Sequence, residues 1–248
     1  MRIFKTILLA ILILFLTSCA TTEKVATINK KTSIAKTKQI PKQKEILSLE
    51  KSLEKIDAKV GNPIFIRIFK KEKKLELWVN PDKEFKLCKT YEICTYSGDL
   101  GPKLKTGDKQ SPEGFYTVNK YQLKPDSKYH LAFNLGFPNQ YDKNLKRTGS
   151  YLMVHGECTS TGCYAMNNQQ MEEIYKMAEA ALNSSQKKFQ VHIFPFKMIK
   201  KHMEQYTTNK WYPFWINLKL GYDIFERYKV IPIIKMPEKK YRFYMKKI

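Results

Sequence analysis

The sequence predicts a mainly β domain with peripheral helices, α+β overall. Three observations predict it. Short β-branched and aromatic runs with period-two alternation recur between Ile64 and Phe194. A helical repeat stands among them, with Met171, Ile174, Tyr175, Ala178 and Leu182 on one face. The chain then ends in aromatic, apolar material, "WYPFWINLKLGYDIFERY", that reads as helix packed back onto the sheet. With 248 residues, 43% of them hydrophobic and 13% aromatic, the chain can fill a sizeable core.

The elements follow in order. "MRIFK" is a positive leader, and "TILLAILILFL" (6–16) is an apolar run that suits a signal peptide better than a membrane span. "LTSC" (16–19) resembles the bacterial lipobox. That resemblance makes residues 1–19 a lipoprotein-type signal peptide and Cys19 the lipidated residue. It implies a membrane-anchored, periplasm-facing lipoprotein. Ala20 follows where an Asp would hold the protein back, so the outer membrane is favoured. Residues 20–59 are a basic tether and a short helix. Lys24, Lys30, Lys31, Lys36, Lys38, Lys42 and Lys44 face only Glu23. Ile46, Leu49, Leu53 and Ile56 give helical spacing, and Gly61-Asn62-Pro63 stops the helix.

Residues 60–200 form the β-rich domain. "IFIRIF" from Ile64 and "LELWV" from Leu75 read as a hairpin, with Arg67 interrupting the first run. "EFKLCKTYEICTY" alternates, with Phe85, Leu87, Tyr91 and Ile93 as inward positions. "GFYTVNKYQL" from Gly114 and "YHLAFNL" from Tyr129 read as one strand each. "YLMV" from Tyr151 is a short apolar strand that delivers His155 at its end. "FQVHIF" is closed by Pro195. Residues 201–248 form an aromatic helical extension, in which Trp211, Tyr212, Phe214 and Trp215 read as core, with sugar-ring binding as the alternative.

A net charge of +22 admits nucleic acid, an anionic membrane surface or an acidic wall polymer as partner. No zinc-finger spacing and no aromatic–basic single-strand motif occurs. An exported chain does not meet nucleic acid, so no nucleic-acid partner is expected.

The chemistry is concentrated in "MVHGECTSTGCYAM", Met153 to Met166. A thiol nucleophile needs an adjacent base or a lowered pKa. Cys163 lies eight positions after His155 and immediately before the helix that begins near Asn167. A helix N-terminus there would stabilise a thiolate and offer N–H groups to an oxyanion. Gly162 permits a tight turn, and Ser160 can bond within the loop or orient the imidazole. The competing reading is a buried turn whose cysteines act as small hydrophobes.

His155-Gly156 and Ser160-Thr161-Gly162-Cys163 resemble the "HG…S-x-G-C" signature of the YkuD-type L,D-transpeptidases. Tyr164-Ala165-Met166 and the short His–Cys gap bring the match closer to the YafK-like branch. So do "FIRIFKKEKKLELWV", "YSGDLGPKLKTGDKQSPEGFYTV", "FNLGFPNQYD", "RTGSYLMVHG", "VHIFPFKM" and "FWINLKLGYDIFE". The likeness runs from about Gly61 to about Glu226. It implies a β-sandwich and an acyl transfer through a thioester on Cys163, with His155 as base. It places backbone N–H groups near Gly162, Cys163 and Tyr164 on the oxyanion, with Gly156 and Ser160 in the supporting loop. Most of the family has a His before Gly-Cys and an Arg two residues after the Cys. Here those places hold Thr161 and Ala165. Arg147 and Lys103 then become candidates for a substrate carboxylate, and His130 borders the cleft.

These departures put crosslinking in doubt. The branch is associated with cutting the amide that ties an outer-membrane lipoprotein to the wall. The expected partners are peptidoglycan stem peptides, a wall-linked lipoprotein, and the membrane through the N-terminal lipid. Hydrolysis is favoured over crosslinking. No cofactor is expected, and no compact His/Cys/Asp spacing suggests a metal. The alternative is a non-catalytic, cationic cell-wall-binding lipoprotein, which has no use for the Cys163–His155 pair.

The remaining cysteines and histidines read as follows. Cys158 is expected as a packed loop residue, with a bond to Cys163 as the alternative. Pairing of Cys88 with Cys94 is left open, because one continuous strand holds them too far apart. His130 and His192 read as satisfied strand histidines. "SPEG" (111–114) reads as a turn that shapes the fold.

Overall fold

In the computed structural model, residues 47–245 are described. The expected signal peptide, Cys19 and the expected tether as far as residue 46 lie outside them. The chain then runs α1 (Leu49–Glu54), β1 (Ile64–Phe69), β2 (Lys74–Val79), β3 (Lys86–Glu92), β4 (Thr95–Tyr96), β5 (Gly114–Asn119), β6 (Leu123–Ser127), β7 (His130–Asn134) and α2 (Gln140–Asn144). It continues with β8 (Met153–His155), β9 (Tyr164–Ala165), α3 (Asn168–Asn183), β10 (Lys188–Phe194), α4 (Lys200–Glu204), α5 (Tyr212–Tyr228), β11 (Ile233–Lys235) and β12 (Arg242–Tyr244).

Two five-stranded sheets carry the fold, as expected of a mainly β, α+β chain. The first has the order β3-β2-β1-β10-β5 and the second β4-β9-β8-β7-β6. One face of the first sheet, with Ile64, Ile66, Ile68, Leu75, Leu77, Val191 and Ile193, shares a core with α3 and with Phe133, Val154 and Tyr164 of the second. Its other face carries Phe65, Phe69, Trp78, Phe115 and Phe194, which meet Phe214, Trp215, Leu218, Tyr222 and Phe225 of α5. β1 is therefore buried along its whole length. That is why it reads as a nearly continuous apolar run rather than an alternating one.

Arg67 does not interrupt this packing. Its guanidinium bonds Glu76, its register partner on β2, at 2.7 Å and Glu226 of α5 at 2.7 Å. It also lies 4.9 Å from the ring centres of Trp78 and Phe225. The helix closes on the sheet at Gly221, where a Cβ would stand 2.5 Å from Phe243 and 2.9 Å from Phe115. A helical glycine costs about 1 kcal/mol against alanine; here it is required by the close approach of those rings.

Several sequence expectations are corrected. α1 ends at Glu54, short of Ile56. "EFKLCKTYEICTY" is two strands in two sheets, β3 and β4. A bulge opposite Leu77 and Trp78 shifts the register, so Leu87 pairs with Trp78 and turns outward, 41% exposed. "GFYTVNKYQL" breaks after Asn119, whose side chain caps a 3₁₀ turn, and its end leaves as β6 in the other sheet. The C-terminal extension is not helical throughout, because β11 and β12 pair as a hairpin.

The cysteine expectations are corrected as well. Cys94 is bonded to Cys158, and Cys88 and Cys163 are free. Cys94 stands between β3 and β4, where the chain passes from one sheet to the other. That puts its Cα 5.1 Å from that of Cys158, in the loop between β8 and β9. The crosslink spans 64 residues of chain. In the loop-entropy account, closing that length is worth about 4 kcal/mol. Glu157 and Cys158 take left-handed backbone, with φ 69° and 48°, so a crosslink at this point restrains a costly turn.

Two outcomes are expected. A soluble chain beginning after Cys19 contains Cys88, Cys94, Cys158 and Cys163. Denatured without reductant, it should titrate two thiols, and after reduction four; four before reduction would contradict the bond. His192, fully buried between Phe65 and Phe115, has a pKa well below the usual imidazole value, first from burial and then from the charge of Arg67. Only the unfolded chain then takes up this proton below about pH 6.5, so stability falls with pH there. The urea midpoint should drop from pH 7 to pH 5, and less in His192→Leu. An equal drop in both proteins would reject this assignment.

Candidate active site

β8 and β9 run parallel, with Val154 opposite Tyr164 and His155 opposite Ala165. This register brings Cys163, the residue just before β9, alongside Met153. The Met153 N–H donates to Cys163 Sγ at 3.4 Å, and the thiol faces the Tyr151 carbonyl at 3.7 Å. Met153 and His155 are two apart on one strand and share a face. Cys163, His155, Met153 and Tyr151 accordingly line one cleft of about 650 Å³. The opposite wall is β6 and its turn into β7, with Leu123, Lys124, Asp126, Lys128 and Tyr129.

His155 Nδ1 lies 2.6 Å from the Gly156 carbonyl. A carbonyl only accepts, so Nδ1 carries the proton and the Nε2 lone pair is free to act as base. The Tyr129 ring packs on the imidazole at 4.9 Å between centroids. Gly156 is required here, because a Cβ would lie 2.6 Å from Asn168 Oδ1 and 3.1 Å from the Tyr129 carbonyl. Burial lowers the His155 pKa, partly opposed by the Gly156 bond. Burial raises the Cys163 pKa, partly opposed by the Met153 N–H and the charge of Lys103. Both shifts favour the neutral thiol and neutral imidazole at rest over an ion pair.

The helix begins where the sequence suggested, but its N-terminus does not meet Cys163. β9 separates Cys163 from α3, and Asn167 caps that helix through the Gln170 N–H at 2.8 Å. The β8 amide of Met153 is the group that meets the sulfur instead. The Gly162 N–H is likewise committed, donating to Ser97 Oγ at 2.7 Å, while Gly162 holds φ 110°. The Cys163 N–H has no acceptor among the described residues and is the donor left for an oxyanion. Ser160 bonds the Cys163 carbonyl at 2.7 Å and does not orient the imidazole. The Tyr164 side chain is buried, its hydroxyl donating to the Pro112 carbonyl at 2.7 Å.

The expected carboxylate ligands lie elsewhere. Arg147 is buried away from the cleft lining, bonded to Asp142 at 2.8 Å and packed over Tyr141 and Phe214. The Lys103 ammonium is taken by Asp108 and by the Lys105 carbonyl. His130 turns to Glu172 on α3 at 2.9 Å, leaving its neighbour Tyr129 in the cleft. Lys124 and Lys128 are the cations of the lining, and neither has an ion-pair partner among the described residues. "KPDSKY" carried the only sequence signal for them, a turn between short strands. Among the described residues no group of three or more His, Cys, Asp or Glu could hold a metal.

Residues 63–193 match YkuD, the L,D-transpeptidase catalytic domain. The chain is 46% identical to proteins of Escherichia coli K12 and O157:H7 provisionally named L,D-transpeptidase YafK, over 73% of its length and 74% of theirs. Among solved structures it is similar to the helical cell shape determining protein Pgp2 of Campylobacter jejuni, at 21% identity and TM-score 0.44. That alignment covers 77% of this chain and 81% of that one. It is also similar to Bd1075 of Bdellovibrio bacteriovorus, at 19% identity and TM-score 0.38, over 54% and 48%. A histidine strand beside a cysteine turn, the domain match and the close relatives lead to one conclusion: the chain belongs to the YkuD family of L,D-transpeptidase catalytic domains.

Proposed function

We propose that the chain is a peptidoglycan-modifying cysteine enzyme. It works by acyl transfer through a thioester on Cys163, on stem-peptide amide bonds, with hydrolysis favoured over crosslinking. The observation that carries the reading is the free Cys163 thiol in one cleft with His155, whose Nε2 is left unprotonated by the Nδ1–Gly156 bond.

The mechanism starts from a neutral pair. Nε2 of His155 takes the Cys163 proton as sulfur attacks the amide carbon. The Cys163 N–H receives the oxyanion, at a position where the chain cannot shift freely. The amine leaves with the proton held by His155, and water then hydrolyses the thioester. Lys124 and Lys128 are placed to meet a stem-peptide carboxylate. Thr161 and Ala165, where most of the family has His and Arg, support a reaction other than crosslinking. The Cys94–Cys158 bond supports an oxidising compartment, consistent with a periplasm-facing chain lipid-anchored at Cys19.

Three outcomes test this. Purified wall treated with the wild type, and not with Cys163→Ala, should release a peptide-linked lipoprotein fragment or a D-amino acid. New crosslinked stem dimers would make the enzyme a transpeptidase; no product from either protein would reject the reading. The acid limb of kcat/KM should lie below pH 6.5, because His155 must be neutral and its pKa is lowered. His155→Gln should abolish that limb and cost about 10²- to 10⁴-fold. A limb near the pKa of an ordinary thiol would instead mean that the thiolate forms without the base. Lys124→Gln should raise KM about tenfold, the loss of one charge-assisted hydrogen bond, with kcat retained.

A further inference from the structure

The turn that presents Cys163 is held from beneath by a second loop. Ser111 Oγ donates to the Cys163 carbonyl at 3.0 Å and accepts the Ser97 N–H at 3.0 Å. Ser97 Oγ in turn holds the Gly162 N–H. Loop 97–113 is itself fixed by two side chains with no exposed surface, Lys70 and Glu113. The Lys70 ammonium donates to the carbonyls of Asp99 at 2.8 Å, Gly101 at 3.0 Å and Ser111 at 3.1 Å, and lies 3.2 Å from Glu113. Glu113 accepts the Gly101 N–H at 2.6 Å through one oxygen. Its other oxygen accepts the indole N–H of Trp215 at 2.8 Å. Trp215 is fully buried in α5, a helix that lies beyond the family match ending at residue 193.

We propose that Trp215 is a positioning residue for Cys163, acting through the Glu113–Lys70 clamp and Ser111. The C-terminal helix is then part of the reaction apparatus as well as a cover for the sheet. The argument is one of fixed donors. A carboxylate with no exposure needs every one of its bonds. If the indole N–H is removed, Glu113 must turn to another partner. It then draws on Gly101 and Lys70, which hold the loop carrying Ser111. The Cys163 carbonyl follows, and with it the sulfur's short reach to the Met153 N–H. The inference rests on the proposed role of Cys163, but it can be tested without a wall substrate.

The test is Trp215→Phe in the same soluble chain, which keeps an aromatic ring and deletes the N–H. Iodoacetamide labelling of Cys163, followed by mass spectrometry of its peptide, reads the thiol across pH in the folded protein. Alkylation at pH 7 should slow about tenfold, one hydrogen bond's worth of positioning, with its pH midpoint moved upward. On wall substrate kcat should fall with KM within twofold. Ser111→Ala should reproduce the effect and Ser111→Thr should restore it. A lower melting temperature with unchanged alkylation would make Trp215 structural only and overturn the proposal. If Trp215→Phe fails to fold, Ser111→Ala decides, and unchanged alkylation there overturns it too. A wild type that labels normally but leaves wall untouched would sink the proposed function and leave this comparison standing.

Discussion

The buried Lys70–Glu113 pair is the constraint on which the rest of the structure depends. Lys70 follows directly on β1, so its backbone is tied to the centre of the first sheet. Its ammonium is sealed from water, and burial presses its pKa down while Glu113 presses it up. Such a group persists only when its donors are matched, and it finds three carbonyls and one carboxylate. The chain between Ser97 and Glu113 has almost no regular structure of its own, yet it meets both sheets and α5. Without the pair, nothing in its local sequence would fix its path. With the pair, a loop becomes as determinate as a strand, and the cysteine turn has a floor. Arg67 repeats the device on the other side of β1, where its two carboxylate partners tie α5 to the sheet.

The same burial that fixes the loop sets the chemistry of the site. A thiol among apolar groups prefers its proton, and a buried imidazole prefers its neutral form. An ion pair would need more compensation than one amide and a lysine already bonded to Asp108. The resting site is therefore a thiol beside a base of fixed tautomer. A neutral thiol is a poor target for oxidants, and here it sits at the end of a loop that also carries a disulfide. On the proposed mechanism, the thiolate forms only as a substrate carbonyl stands in the cleft to receive the sulfur.

Much of this was legible in the sequence. The strands from Ile64 and Leu75, the helix over Met171 to Leu182 and the strand ending at His155 follow from local periodicity. The His155–Cys163 grouping was visible because reactive side chains are scarce in this chain. What failed needed long-range information. Leu87 turns outward because of a register shift that its own segment does not show. Cys94 meets Cys158 only because the chain changes sheet between β3 and β4. Arg147 and Lys103 looked available because a cation in a loop gives no sign of the Asp142 or Asp108 that takes it. Ser111 and Glu113 read as turn residues, and Ser97 gave no signal, since their partners stand on other elements.

The departure after the cysteine shows how such substitutions are absorbed. Ala165 is fully buried, opposite His155 on β8 and Thr95 on β4. A long cation at this position would have to find room beside the imidazole. In this chain the room next to His155 is filled by the Tyr129 ring from the facing hairpin. The cations of the cleft lining stand on the same hairpin, where Lys124 and Lys128 flank Asp126. On the proposed reading, recognition has moved from the strand that carries the nucleophile to the wall across from it. The β6–β7 hairpin, two strands joined by a turn, can then vary without disturbing the buried clamp beneath Cys163. On that reading, specificity and nucleophile placement are carried by different parts of the fold.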